Sequence, residues 1–257
     1  MLFICIFLSL VGCTKRAEKP PVLEPPAQEE PAPPPPPTAE EKAIEAAKEE
    51  IPLGVLQSVI NKVQKNYDKM NDFEVKVTQT VTKVYSRRPH VSEGTIYAIK
   101  PSKIYWHITS PEELKTLGNG KKFWVYDPEN KQVFIQEEAD SHDQTRIVML
   151  FLSGSGKFSD EFEIRSHKGD RFHWRLIPKK KIPQIKSLFA TINRRTNWLD
   201  TLTIEYTYNE TIELKFGEYK TNQGLAEKHQ TTPLDPLIGP DFTFHPPEGT
   251  KEVTSFE

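Results

Sequence analysis

Apolar and polar positions along this chain follow several patterns in turn. Met1 to Val11 is almost wholly apolar. Further on, Leu53, Leu56, Ile60, Val63, Tyr67 and Met70 recur at three- and four-residue spacing, with Gln64, Lys65 and Asp68 opposite. That spacing predicts a helix that buries one face. From Asp72 the period falls to two: Phe73, Val75 and Val77 alternate with Glu74, Lys76 and Thr78, and similar runs recur at 94–99, 103–109, 121–126 and 131–136. Such alternation predicts antiparallel strands. Gly118-Asn119-Gly120 and Asp127-Pro128-Glu129-Asn130 supply turn residues that would pair neighbours as hairpins.

Ser141 to Leu152 interrupts the alternation. Ser141 and Gln144 have the capping-box form, and Ile147-Val148-Met149-Leu150-Phe151-Leu152 is apolar around its whole circumference, so a helix there cannot lie on the surface. After Gly154-Ser155-Gly156 the alternation resumes at 160–166, 171–177, 186–193, 198–206 and 211–219, which makes about ten strands in roughly 200 residues. A mainly β domain of that size holds a full core, and its few helices favour a barrel or strongly curved sheet over a βαβ fold.

Upstream, the apolar run is far shorter than the ~20 residues a membrane-spanning helix needs and fits a secretory h-region. The basic residues that ordinarily precede such a region are missing, which leaves open a start further upstream. Its end, Leu10-Val11-Gly12-Cys13, resembles the bacterial lipobox, in which the peptidase cuts before a cysteine that carries a diacylglycerol. Residues 1–12 are then a lipoprotein signal, Cys13 is the lipidated residue, and Cys5 leaves with the signal. With one thiol left, neither an internal disulfide nor a four-thiolate zinc site can form. Thr14 stands where an aspartate would signal inner-membrane retention by resemblance to proteobacterial sorting, so the outer membrane is the expected residence. The stretch from Lys19 to Pro37 is too rich in proline to fold and reads as an extended spacer of roughly 60 Å. Thr38 and Glu41 open a short, weakly amphipathic helix to Glu50. Residues 13–50 are thus anchor, spacer and helix, and 51–257 the folded domain.

The motifs "IKPSKIYWHITSP", "GNGKKFWVYDPENKQV" and "FTFHPPEGTKEV", in that order, resemble the LolA family of periplasmic outer-membrane lipoprotein carriers. The resemblance covers about residues 53–254. It implies an incomplete, unclosed antiparallel β-barrel covered by α-helices, with an apolar cavity between them that takes the acyl chains of a lipoprotein. From the residues alone the helix at Val148 to Leu152 reads as a fixed core plug; the resemblance makes it a lid. Ile104, Trp106 and Ile108 share one strand face and are expected to line the cavity, with Phe123 joining them and Val148, Met149, Phe151 and Leu152 contributed by the lid. Trp124 and Tyr126 stay ambiguous, because Phe123 and Val125 are apolar too. Lys100, before Pro101, stands where the family usually carries an arginine that bonds lid carbonyls. As a lid latch a lysine keeps the charge without the planar fork of donors; its other reading is a solvated lysine at a strand end.

Catalysis finds little support. The seven histidines are scattered without metal-ligand spacing, and no H-E-x-x-H, G-x-S-x-G or phosphate-cradling loop occurs. No enzyme activity and no cofactor are expected, and a net charge of −2 argues against nucleic acid. Lys179-Lys180-Lys181 reads as a solvated loop or as a docking point for an acidic partner or lipid headgroups. The resemblance leaves three roles: a carrier that shields acylated lipoproteins in transit to the outer membrane, a membrane-anchored acceptor like LolB, and an envelope-stress sensor like RseB that binds a lipidic signal. Its expected partners are acylated lipoproteins, an inner-membrane lipoprotein-releasing transporter or an outer-membrane acceptor, and the membrane itself through the lipid.

Overall fold

Helix α1, Leu53–Lys69, starts on the carbonyl of Pro52, which accepts from the Val55 and Leu56 N–H groups. The computed structural model describes residues 51–137, 157–182 and 184–254. The expectations for Cys13, for the spacer and helix of 13–50, and for Val148, Met149, Phe151 and Leu152 therefore lie outside the described residues. Leu56, Val59, Ile60, Val63 and Tyr67 form the buried face of α1. Leu53, expected in that stripe, is 76% exposed, because it sits in the first turn before the helix meets the sheet. Gln57–Asn61 and Gln64–Asp68 side-chain hydrogen bonds, four residues apart, run along the solvated side.

Among the described residues thirteen strands follow, in one sheet. The first meander is β1 (Asp72–Lys83), β2 (His90–Ile99), β3 (Lys103–Ser110), β4 (Leu114–Gly118), β5 (Lys122–Asp127) and β6 (Gln132–Glu137). After a one-turn helix α2 (Phe158–Glu161) comes the second: β7 (Phe162–His167), β8 (Asp170–Pro178), β9 (Ile185–Ile192), β10 (Leu199–Tyr206) and β11 (Glu210–Phe216). The chain ends with β12 (Lys220–Thr221), helix α3 (Leu225–Thr231) and β13 (Lys251–Val253). The two meanders are joined by β1 and β11, whose antiparallel register runs from Val77 opposite Phe216 to Lys83 opposite Glu210. The strand path is β13-β6-β5-β4-β3-β2-β1-β11-β10-β9-β8-β7, with β12 on β1, so the sheet is unclosed, as the family resemblance implied.

Three strands escaped the sequence reading. In β4 the apolar residues Leu114 and Leu117 are three apart, so they fall on opposite faces and show no alternation. The short β12 and β13 are defined by their partners, β13 lying parallel to β6. Between β2 and β3 the register shifts at Glu93 and Gly94. A Cβ on Gly94 would lie 2.3 Å from the His107 carbonyl oxygen, so only glycine permits this close crossing.

Two apolar layers result. One covers the inner face of the curved sheet and the buried face of α1. The other lies outside β3 to β6, beneath the C-terminal segment that contributes Leu225, Ile238, Phe242 and Phe244. Buried His229 ties that segment together: its Nδ1 accepts the Leu234 N–H at 3.1 Å, which leaves Nε2 to donate to the Gly239 carbonyl at 2.9 Å.

Candidate functional site

Strand parity builds the inner face. The register places Val75, Ile96, Trp106, Thr116 and Val125 in one row across β1 to β5, and Ile104, Gly118 and Phe123 in a neighbouring one. Ile104, Trp106, Ile108 and Phe123 are all buried in the same inner cluster. The alternate residues Tyr105, Leu117, Trp124 and Tyr126 belong to the outer layer. The ambiguity over β5 is thereby resolved: Phe123 and Val125 face inward and Trp124 and Tyr126 outward. The strand is apolar on both sides because it separates two apolar layers.

On the far side of the interior, β8 to β11 contribute Trp174, Leu188, Leu202, Ile204 and Leu214 to the same cluster. Helix α1 packs against β8 and closes this face with Tyr67, whose ring meets Phe158 edge-on at 5.0 Å and Trp198 at 5.1 Å. Trp198 in turn stacks on Tyr219 at 4.9 Å. The Trp106 indole N–H and the Gln79 side-chain oxygen are buried with no hydrogen-bond partner among the described residues, a situation that proteins seldom leave without a purpose.

Lys100 follows β2, its own N–H bonded to the Asn71 carbonyl at 2.8 Å. Its Nζ donates to the backbone carbonyl of Tyr67, in the last turn of α1. That carbonyl also accepts the Met70 N–H at 3.2 Å, and the Lys69 carbonyl accepts from Asn222 Nδ2 at 3.3 Å. Helix ends carry unpaired carbonyls and partial negative charge, so an ammonium group there satisfies both. Burial lowers the pKa of Lys100, opposed by the nearby Asp68 carboxylate. Lys100 therefore holds the end of a helix that covers the inner face; the helix expected at 148–152 is beyond the described residues.

The sequence reading missed a polar network on the outer face. Tyr105 donates to Asp235 at 2.7 Å, Lys115 pairs with the same Asp235 oxygen at 2.8 Å, and Glu113 lies 3.5 Å from Lys115 and 2.8 Å from His107 Nε2. Burial would raise the pKa of Asp235, but hydrogen bonds from Lys115, the Leu237 N–H and Tyr105 keep its carboxyl below the ordinary value. Burial, together with the Asp235 contact, pushes the Tyr105 phenol far up. The network fastens the C-terminal segment to β3 and β4, and Asp235 lies 130 residues from Tyr105 in the chain, so no local motif announced it. Among the described residues no group of His, Cys, Asp and Glu is placed to hold a metal ion, and no helix is long and apolar enough to cross a membrane.

Comparison with known proteins follows the same line. The family described as "Outer membrane lipoprotein carrier protein LolA" matches residues 68–230. The outer-membrane lipoprotein carrier protein of Photorhabdus laumondii is 28% identical over 171 residues, 66% of this chain and 82% of that protein. Its counterpart from Pectobacterium carotovorum is 28% identical over 187 residues, 73% of this chain and 83% of its own length. Among solved structures, a LolA superfamily protein from Nitrosomonas europaea superposes with a TM-score of 0.39 at 10% identity, over 67% of this chain and 96% of that one.

Proposed function

Because this chain belongs to the LolA family, we propose that it is a lipoprotein-binding carrier which shields the acyl chains of lipoproteins in transit to the outer membrane. The observation that carries this reading is the continuous apolar inner face of an unclosed sheet, covered by a helix whose end rests on one cation. A triacylated cargo with about 16 carbons per chain exposes roughly 45 methylenes, and leaving them in water costs on the order of 35 kcal/mol. A carrier must offer that much apolar surface when loaded and bury its own when empty. An unclosed sheet with a separately latched helix can do both. The Trp106 N–H would give an ester carbonyl of the cargo a donor in otherwise apolar surroundings.

A photo-crosslinking residue in place of Trp106 should capture an acylated lipoprotein and leave its unacylated form free. Equal capture of the two forms would mean that protein surface, and not acyl chains, is recognised.

Lys100 tunes release. Lys100→Leu removes a charge-assisted bond of about 1.5–3 kcal/mol from the closed, empty form, so the variant should hold lipoprotein more tightly and pass it to acceptor membranes more slowly. Lys100→Arg, with its planar fork of donors, should release faster. Matching release rates for wild type and both variants would take Lys100 out of the mechanism.

A second reading, an anchored acceptor resembling LolB, is favoured by Leu10-Val11-Gly12-Cys13 and the proline spacer behind it. Carrier and acceptor differ in direction: the loaded acceptor gives its cargo to the membrane that holds it, whereas the carrier delivers to an acceptor protein.

A further inference from the structure

At the end of the sheet away from Lys100, three connections come together. The β1–β2 hairpin tip exposes Val84 (76%), Tyr85 (81%) and, at the start of β2, Val91 (48%), beside exposed Arg87 and Arg88. Its conformation is set by backbone and side-chain bonds: Ser86 N–H to the Lys83 carbonyl at 2.9 Å and Ser86 Oγ to the Arg88 carbonyl at 2.7 Å. The Val84 N–H donates to the Asn209 carbonyl at 3.3 Å and Lys83 pairs with Glu210 at 3.5 Å, which fastens the tip to the β10–β11 turn. The Thr207 N–H donates to the Gln184 carbonyl at 2.9 Å, which fastens that turn to the β8–β9 loop carrying exposed Lys179, Lys180 and Lys181. Arg87, Arg88 and the three lysines form no ion pair with any described residue. Acids border this tract on its outer sides. Asp160 and Glu161 lie beside Lys179, whose N–H donates to the Glu161 carbonyl at 2.9 Å, and Glu113 in the β3–β4 turn is already taken up by His107 and Lys115.

We propose that this end of the sheet docks the protein on the surface of an anionic phospholipid bilayer, with Val84, Tyr85 and Val91 entering the headgroup region and Arg87, Arg88 and Lys179 to Lys181 facing the phosphates. The chemistry is complementary layer by layer. Tyrosine and aliphatic side chains at a projecting tip match the glycerol and upper acyl level of an interface, while unpaired cations around them match the anionic headgroups. An acidic protein would satisfy the cations but leave three large apolar groups in water. The inference is independent of what the interior binds.

The test uses the full chain with Cys5→Ser and Cys13→Ser, so that Tyr85→Cys can carry a polarity-sensitive nitrobenzoxadiazole dye. The dye reports the tip itself, whatever the N-terminal segment does at a membrane. Vesicles of phosphatidylglycerol mixed with phosphatidylcholine should shift its emission to the blue; phosphatidylcholine alone should not. Each basic residue at an anionic surface is worth about fivefold in partition, so Arg87→Glu, Arg88→Glu and Lys180→Glu together should weaken the response by more than about a hundredfold. Because all three side chains are exposed, the melting curve of that variant should match its parent, and Arg87→Lys with Arg88→Lys should keep the response. No blue shift on the anionic vesicles, the same shift on phosphatidylcholine alone, or a shift that survives charge reversal would each overturn the proposal. So would a shift produced by an acidic protein or by nucleic acid in place of vesicles.

Discussion

Asp72→Ala should destabilise the domain by about 3 kcal/mol. In a domain of about 200 residues that lowers the melting temperature by about 6–12 °C. Asp72 is buried at the start of β1, where its carboxylate accepts the backbone N–H groups of Gln223 (2.6 Å), Gly224 (3.0 Å) and Leu225 (3.1 Å). These are donors at the mouth of α3, which α-helical geometry leaves unpaired, and Gly224 supports them from a left-handed conformation with φ +68°. The same turn reaches back to the end of α1 and the residues after it: Asn222 Nδ2 donates to the Lys69 carbonyl at 3.3 Å and its Oδ1 accepts the Asn71 N–H at 2.8 Å. Alanine would strand several N–H groups at once and loosen the entry to the segment that covers the outer face. Hydrogen exchange at residues 225–244 should therefore rise more than in the inner strands. Asp72→Asn, which keeps the shape but not both strong acceptors, should lose less. An unchanged melt and unchanged exchange for Asp72→Ala would show that the carboxylate holds nothing in place.

Cys13→Ser should abolish incorporation of labelled palmitate altogether, leave the leader uncut and remove the acyl-dependent part of membrane retention. The expected effect is all-or-none. A single acyl chain binds a membrane only marginally, whereas stable anchoring takes more than one signal, so losing the cysteine removes every chain together. The expectation comes from Leu10-Val11-Gly12-Cys13 and from a proline-rich stretch whose composition suits a tether. If processing, labelling and fractionation are the same with serine at position 13, the anchor is discarded, and with it the acceptor reading.

Much of the architecture was readable because its signals are local. The stripe from Leu56 to Tyr67 and the alternation of Phe73, Val75 and Val77 name their own periods, and the structure has α1 and β1 there. Strand parity alone put Ile104, Trp106 and Ile108 on one face, and all three are in the inner cluster. What stayed hidden has equally definite causes. Leu114 and Leu117 break the period of two because each serves a different layer. Asp72 and Asp235 look like ordinary surface acids in the sequence, and only the return of the C-terminal segment buries them.

The sequence by itself therefore determined that this protein is mainly β with an amphipathic helix at its start, because side-chain periodicity is set by backbone geometry one element at a time. That the sheet stays unclosed was implied only by the family resemblance and is decided by the strand pairing. Only the tertiary structure decided which side of β5 faces the interior, since Phe123, Trp124, Val125 and Tyr126 are all apolar and burial on both sides erases the alternation. It also decided the partner of Lys100, a carbonyl 33 residues earlier in the chain. And it decided that Tyr85, Asn209 and Lys180 share one end of the sheet, because the pairing of β1 with β11 joins two meanders that no local pattern connects.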